Sequence, residues 1–294
     1  MLMVGLAESL EYLDSEAAVR SLRRDAYWPK WDSPWWHMML LHEMGETRRI
    51  PPAAIEALVL EMEKTPSTEF LDGSDYHCHC ALGCVYQLLA AYGIDVDGRL
   101  PWIRQWFLRY QMSDGGFNCD AEAYAVPGEC PSSMVGTIAP FEAMLFYTPR
   151  DFTAEEIEFM DRGARFLQER ELWRGSPTRH NAEEREQAKA WMDLCFPRFY
   201  FYDVLRGLYA LLNWADRRGV TLERARFAPV LERLEAGVEI GRRAYLGVGT
   251  RLPEGGRAKE SLFPLLEAVS GNGPSRYLQE QWQKCRELGA KWFR

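Results

Sequence analysis

The residues best able to do chemistry in this 294-residue chain crowd into one short run, His77-Cys78-His79-Cys80, with Cys84 one helical turn further on. Imidazoles and thiolates are the donors zinc prefers, so the residue types suit a metal centre. Helical spacing places His77, Cys80 and Cys84 on one face, at i, i+3 and i+7, and turns His79 away unless the helix begins after it. The C-x-x-C spacing of many structural zinc sites is absent. The same residues are open to another reading, in which small Cys side chains pack an inner helix and the histidines are hydrogen-bonded.

Three other groups invite a chemical reading. Trp28, Trp31, Trp35, Trp36 and His37 form an aromatic start to which Tyr200, Tyr202 and Tyr209 could add. Aromatic walls bind flat apolar ligands and stabilise cations, and they equally pack between helices. Asp32, Asp75, Asp120, Glu122 and Asp203 are acids near aromatics. Asp203 lies in the apolar stretch 199–208, where a carboxylate needs a partner. Arg198 and Arg206 are the expected partners; without them, desolvation would make Asp203 a general acid. Arg162, Arg165, Arg170 and Arg174 could grip a diphosphate, but Glu169 and Glu171 interleave with them as on a solvated helix face. The chain contains no G-x-G-x-x-G, no P-loop, no H-E-x-x-H and no glycine-flanked serine elbow.

The elements that must position these residues read as helices. Ile55, Leu58, Val59 and Met62 share one helical face, as do Leu82, Val85, Leu88 and Leu89. Leu205, Leu208, Leu211 and Leu212 repeat the pattern, and so do Val230, Leu231 and Leu234. Runs of alternating β-branched residues are absent. Turn signals at Gly93, Gly98 to Pro101, Asp114-Gly115-Gly116, Gly219, Glu254-Gly255-Gly256 and Gly271 to Pro274 cut the chain into about a dozen short helices. No low-complexity linker interrupts residues 1–294, which read as one domain. Arg174 to Gln187 reads as a polar, mobile excursion.

Composition sets the bounds. The chain is 47% hydrophobic and carries 11 Trp, 13 Tyr and 14 Phe, enough apolar surface for a large core and too much for a disordered chain. A formal net charge of −8 argues against nucleic acid as the main partner and gives no support for broad attraction to an anionic membrane. No run approaches the ~20 apolar residues of a membrane-spanning helix. The apolar start has no basic residues before it, so no signal peptide is expected. Seven cysteines, four of them between Cys78 and Cys119, do not read as a disulfide framework and point to a reducing cytoplasm.

A weak internal repeat carries a family resemblance. Trp106-Phe107, Gln111 and Asp114-Gly115-Gly116-Phe117 form one unit; Arg162-Gly163, Phe166-Leu167 and Trp173 resemble a decayed second copy; Leu252 to Gly256 matches the turn as a third. The segment 106–117 resembles the Gln-Trp repeat of squalene-hopene cyclases, and Phe196-Pro197-Arg198-Phe199-Tyr200 resembles their FP-x-x-(F/Y) segment. Segments 118–145, with Ser132-Ser133, and the order of all three agree, so the likeness covers roughly residues 70 to 260. It implies an all-α fold, a single α/α toroid of about six helix pairs, as in terpenoid cyclases and protein prenyltransferases.

That resemblance also implies a function, an isoprenoid or similar apolar substrate in a central cavity lined by Trp31, Trp35, Trp36, Phe117, Tyr200 and Tyr202. Asp120, at the lumen mouth in that arrangement, and Asp203 are the candidate catalytic acids. Prenyltransferases hold Zn²⁺ with Asp, Cys and His and leave a position for the substrate thiolate; the family's own ligand positions do not map cleanly here, and His77, His79, Cys119 and Asp120 are the first candidates of those types. The cyclases' acidic D-x-D-D motif is missing, since Tyr76 to Cys80 stands in its place, and the chain has no Asp-Asp pair for Mg²⁺. Squalene-type protonation by the usual acid is therefore ruled out, and a non-catalytic binding barrel is the competing expectation.

Overall fold

Fourteen α-helices and two short two-stranded ribbons make up the computed structural model, which describes residues 1–24, 26–27, 33–64, 78–243, 250–251, 257–258 and 263–294. Trp28, Trp31, Asp32, Asp75, Tyr76, His77 and the third repeat copy lie outside the described residues. The helices expected from periodicity are present: α4 (Pro52–Lys64), α5 (His79–Tyr92), α11 (Val204–Arg218) and α12 (Ala228–Glu235). The chain is mostly helical, as expected.

Burial separates the helices into two kinds. α3 (Pro34–Glu43), α5 and α8 (Met134–Tyr147) are apolar nearly all round and buried along most of their length, and α11 is buried through most of its turns. Helices of that kind belong in the middle of a domain. α7 (Pro101–Tyr110), α9 (Ala154–Glu169) and α14 (Arg276–Trp292) are amphipathic and cover them with one face. α5 packs most extensively on α8 and also meets α3; α8 meets α11, and α11 meets α14. The α5–α8 contact depends on Gly83, where a Cβ would come within 2.4 Å of the Ala139 carbonyl carbon and 2.5 Å of the Pro140 nitrogen. Any larger residue must force the two inner helices apart.

Local chemistry explains where these elements start and stop. Gly93 and Gly219 end α5 and α11 in the left-handed conformation that glycine adopts freely. Thr153 and Glu156 form a capping box on α9, Ser133 caps α8, and Asp203 caps α11 through the Arg206 N–H. The first two repeat copies touch: Gly115, at φ +93°, runs so close to α9 that a Cβ would sit 2.1 Å from the Arg162 carbonyl oxygen. Gln111 ties the same turn together by donating to the Gly115 and Phe159 carbonyls, each at 2.9 Å.

The excursion at 174–187 differs from expectation. It carries part of a short helix, α10 (Glu183–Ala188), and is tethered to the body. Glu184 is buried and accepts from the Met134 N–H at the start of α8, while Asn181 donates to the Pro131 and Ser132 carbonyls. An acid that plugs a helix N-terminus looks, in sequence, like one more surface charge.

Candidate metal centre

Three thiols meet at the N-terminus of α5. Cys78 is the N-cap, extended at φ −76° and ψ 140°, and Cys80 is the second helical residue. An N-cap points its side chain across the helix end, so residues two apart, which diverge inside a helix, can converge here. The Cys78 and Cys80 sulfurs are 3.4 Å apart. Cys119 arrives from the turn after α7, its Sγ 3.5 Å from that of Cys80. All three ligand atoms lie within 4.8 Å of one another. Tetrahedral zinc with bonds of ~2.3 Å keeps its sulfurs about 3.8 Å apart, inside that range. The cluster could hold a metal ion.

The chain invests several hydrogen bonds in placing Cys119. The Phe117 N–H donates to Thr137 Oγ1 at 2.8 Å, and the Ser133 N–H donates to the Phe117 carbonyl at 2.7 Å. Asn118 donates to the Pro131 carbonyl and accepts from the Asp120 N–H. Phe117 itself is fully buried and packs 4.8 Å from the His79 ring.

The surroundings favour negative sulfur. Hydrogen bonds with the Cys78 and Cys80 thiols, and then with the backbone N–H groups of Cys80 and His79, bring the Cys119 thiol well below its usual range. Its neighbours move the other way. Hydrogen bonding to Cys119 pushes Cys78 up to about 12 and raises Cys80 as well. The cluster sits at the N-terminus of α5, where the helix dipole supports negative sulfur. All seven cysteines are free thiols.

The predicted ligands divide. Cys119 belongs to the cluster. His79 does not: Trp106 Nε1 donates to its Nδ1 at 2.9 Å, and its Nε2 meets the Tyr124 hydroxyl at 2.9 Å. Tyr124 in turn donates to the Tyr110 carbonyl, so Nε2 must carry the proton and both ring nitrogens are occupied. Burial pulls the His79 pKa down to about 3. Asp120 contributes no atom either; its side chain is half-exposed, accepts from the Glu122 N–H and meets His180 Nε2 at 2.8 Å. His77 lies outside the described residues. Cys78 and Cys80, which belong to the Cys/His run but are not among the predicted ligands, are the two members that sequence reasoning missed.

Asp203 is held as a buried ion pair. Asp203 is fully buried, and Arg198 Nε sits 2.7 Å from its Oδ2. Burial alone would raise this carboxyl, but Arg198 and the N–H groups of Arg206 and Cys195 bring it below its usual value. The ion pair, one of the two readings of Asp203, is what the fold contains, and it corrects the general-acid assignment. The arginines of α9 and its C-terminal end do not converge on an anion: Arg170 is buried beside Glu184, and Arg174 pairs with Glu171.

The aromatic residues expected to line a lumen are packed instead. Trp36 and Tyr202 are fully buried; Trp36 Nε1 donates to the Tyr27 carbonyl and Tyr202 to the Leu172 carbonyl. Trp35 packs edge-on to Trp36, and Tyr200 lies beside Phe201 at 4.4 Å between ring centres. None of these, nor Phe117, lines the cavity onto which Cys84 opens; Trp31 lies outside the described residues.

That cavity, of about 210 Å³, is bounded by α3, α5, α8, α11 and α14 and by the loop after Phe196. Cys84, one turn beyond Cys80 on α5, is in its wall, so the thiols and the cavity share a helix without sharing a chamber. Its walls are aromatic, from Phe146, Tyr147, Phe196, Phe199, Tyr209 and Tyr277. Its floor is charged. Arg206 Nε and Nη2 both donate to Glu142, and Arg206 Nη1 donates to the Phe199 and Phe201 carbonyls. Glu43 accepts the N–H groups of Arg198 and Phe199, at 2.8 and 2.5 Å. Burial raises the Glu43 carboxyl despite those donors and lowers His42 to about 4. No helix among the described residues is long and apolar enough to cross a membrane. No family model, curated protein or solved structure matches the chain.

Proposed function

We propose that this chain is a zinc–thiolate protein built as a ring of paired helices, an α/α toroid, with Cys78, Cys80 and Cys119 holding the ion and one position left for an exchangeable ligand. The observation that carries the reading is the convergence of three sulfurs from two separate segments at a helix N-terminus. Three thiolates are soft donors that select zinc or similar ions, and a zinc ion with three protein ligands keeps a fourth position open, as catalytic sites do. An ion there would activate a bound thiol or water by lowering its pKa. The chain's own residues would hold the three sulfurs in place, supply backbone N–H groups to Cys119, and keep His79 neutral behind them.

Within the implied superfamily, this chemistry favours transfer of a prenyl group from its diphosphate to a thiolate, with diphosphate leaving, over acid-started cyclisation. The absence of a D-x-D-D motif and the ion-paired state of Asp203 support that preference. The identity of an isoprenoid substrate rests on the resemblance alone, because the described cavity is small and its floor is charged. A non-catalytic zinc-stabilised barrel is the second reading, favoured by the internal pairing of the cavity's charges.

The test is metal analysis of tag-free protein purified under reducing conditions, followed by reconstitution with cobalt(II). Cys78→Ser and Cys119→Ser should each lower bound zinc and weaken thiolate-to-cobalt absorption. Unchanged metal content in both variants would remove the proposal. Turnover of a prenyl diphosphate with a thiol acceptor by the zinc form would separate the enzyme from the barrel.

A further inference from the structure

We infer that the cavity bounded by α3, α5, α8, α11 and α14 is a binding site for a small neutral polyhydroxylated molecule of about monosaccharide size. The inference goes beyond the zinc reading and stands whether or not the thiols hold metal.

Three observations carry it. The first is charge. Each cavity guanidinium already has a carboxylate at hydrogen-bond distance: Arg206 has Glu142, and Arg198 has Asp203. Glu43 adds a further carboxyl, so there is no surplus positive charge for a phosphate or diphosphate to neutralise. An anion entering here would lose its hydration without gaining a counter-ion, the most costly form of burial.

The second is hydrogen-bonding capacity that the described residues leave unused. Gln87 is buried, at 8% exposure, and its amide nitrogen donates to the Ala139 carbonyl and to Glu142. Its carbonyl oxygen has no partner among the described residues. The Tyr147 hydroxyl has none either, and His42 uses only Nδ1, with Thr47. In the Arg198 guanidinium only Nε has a partner among the described residues, and Nη2 is buried without one. The cavity thus offers an amide acceptor, a hydroxyl that both donates and accepts, a neutral imidazole nitrogen and a guanidinium donor. Hydroxyl groups match such a mixture because each can donate and accept at once.

The third is shape. The volume of about 210 Å³ is many times what one water needs, yet below the roughly 300 Å³ at which drug-sized pockets begin. The six aromatic rings of the wall offer flat faces against which the C–H face of a sugar ring can lie.

The test uses saturation-transfer NMR on the intact chain with four probes, glucose, galactose, mannose and myo-inositol, and with inorganic phosphate and glucose 6-phosphate as anionic competitors. At least one neutral probe should show transfer that neither anion displaces. Gln87→Leu and Tyr147→Phe should each weaken that binding by about tenfold, the loss of one neutral hydrogen bond. Tyr147→Phe deletes one hydroxyl that has no partner among the described residues, so it keeps the protein folded while removing the contact. Three results would overturn the inference: no transfer from any neutral probe, transfer unchanged in folded Tyr147→Phe protein, or tighter binding of the phosphorylated sugar. Repeating the measurement on zinc-loaded and chelated protein separates this result from the metal proposal, since sugar binding should be the same in both.

Discussion

At the N-terminus of α5 three thiols stand together with backbone N–H groups turned toward them; one turn further along the same helix, Cys84 opens onto a cavity whose acids and bases have already found each other. Both places are buried and polar. They differ in what is left over. The thiol cluster has donor capacity for a cation. Among the described residues the cavity has paired its two guanidinium groups with carboxylates and leaves neutral groups and part of one guanidinium unspent. Buried charge that is paired belongs to the architecture, and buried donor capacity that is unpaired is where a ligand belongs.

Breaking the cavity side of this comparison should give the largest effect. Glu142→Ala leaves Arg206 buried without its carboxylate and should cost about 3–5 kcal/mol in denaturant unfolding. A loss below about 1 kcal/mol would mean that the pair is not structural. In the cluster, the equivalent deletion should behave in the opposite way. Cys119→Ser should change the stability of metal-free protein by no more than about 1 kcal/mol while lowering metal uptake.

Acid should separate the two regions from bulk behaviour next. His79, behind the thiols, is lowered to about 3 by burial, His37 to about 3, and His42, in the cavity, to about 4. Each folded value lies below the unfolded value near 6.5, so the unfolded chain binds more protons and stability falls as pH drops from 6.5 toward 4. The loss should reach about 2 kcal/mol for each of His37 and His79 by pH 4.5. Urea titrations of wild type and of His37→Phe across that range would check it; identical slopes would refute the assignment of His37.

Glu184 should give the smaller effect of opposite sign. Burial raises it to about 7, and Arg170, 3.8 Å away, does not compensate. Here the folded chain holds the proton that the unfolded chain has released, so stability falls as pH rises from about 4.5 through 7. Glu184→Gln keeps an acceptor for the Met134 N–H and should be more stable than wild type at pH 8 by about 1–3 kcal/mol, with no gain at pH 4. A gain at both pH values would point to packing and away from titration.

The same contrast separates what the sequence can say from what it cannot. Helix positions are legible because periodicity, caps and paired glycines act locally: α4, α5, α11 and α12 lie where Ile55, Leu82, Leu205 and Val230 place them. The Cys/His run is legible as chemistry, but its membership is not. Strict helical spacing excludes Cys78 from the face of Cys80, whereas a helix that begins at His79 makes Cys78 a cap and brings the two sulfurs together. His79 is lost as a ligand to Trp106 and Tyr124, which reach it through tertiary packing that spacing does not reveal. The cavity residues His42, Glu43, Gln87 and Glu142 resemble ordinary helix residues. One signal is present: Glu142 is the lone charge in the apolar α8, and a charge so placed requires a buried partner. The Trp35–Trp36 pair is legible as aromatic mass but not as core or lumen, because packing and lining use the same residues.

The most direct test of the zinc–thiolate assignment is zinc stoichiometry by elemental analysis after loading reduced, tag-free protein and removing excess metal by dialysis. About one zinc per chain, lost in the Cys78→Ser, Cys119→Ser double variant and retained in His79→Gln, is the predicted result. Zinc that fails to bind the reduced wild type, or that stays bound when both cysteines are replaced, would contradict it.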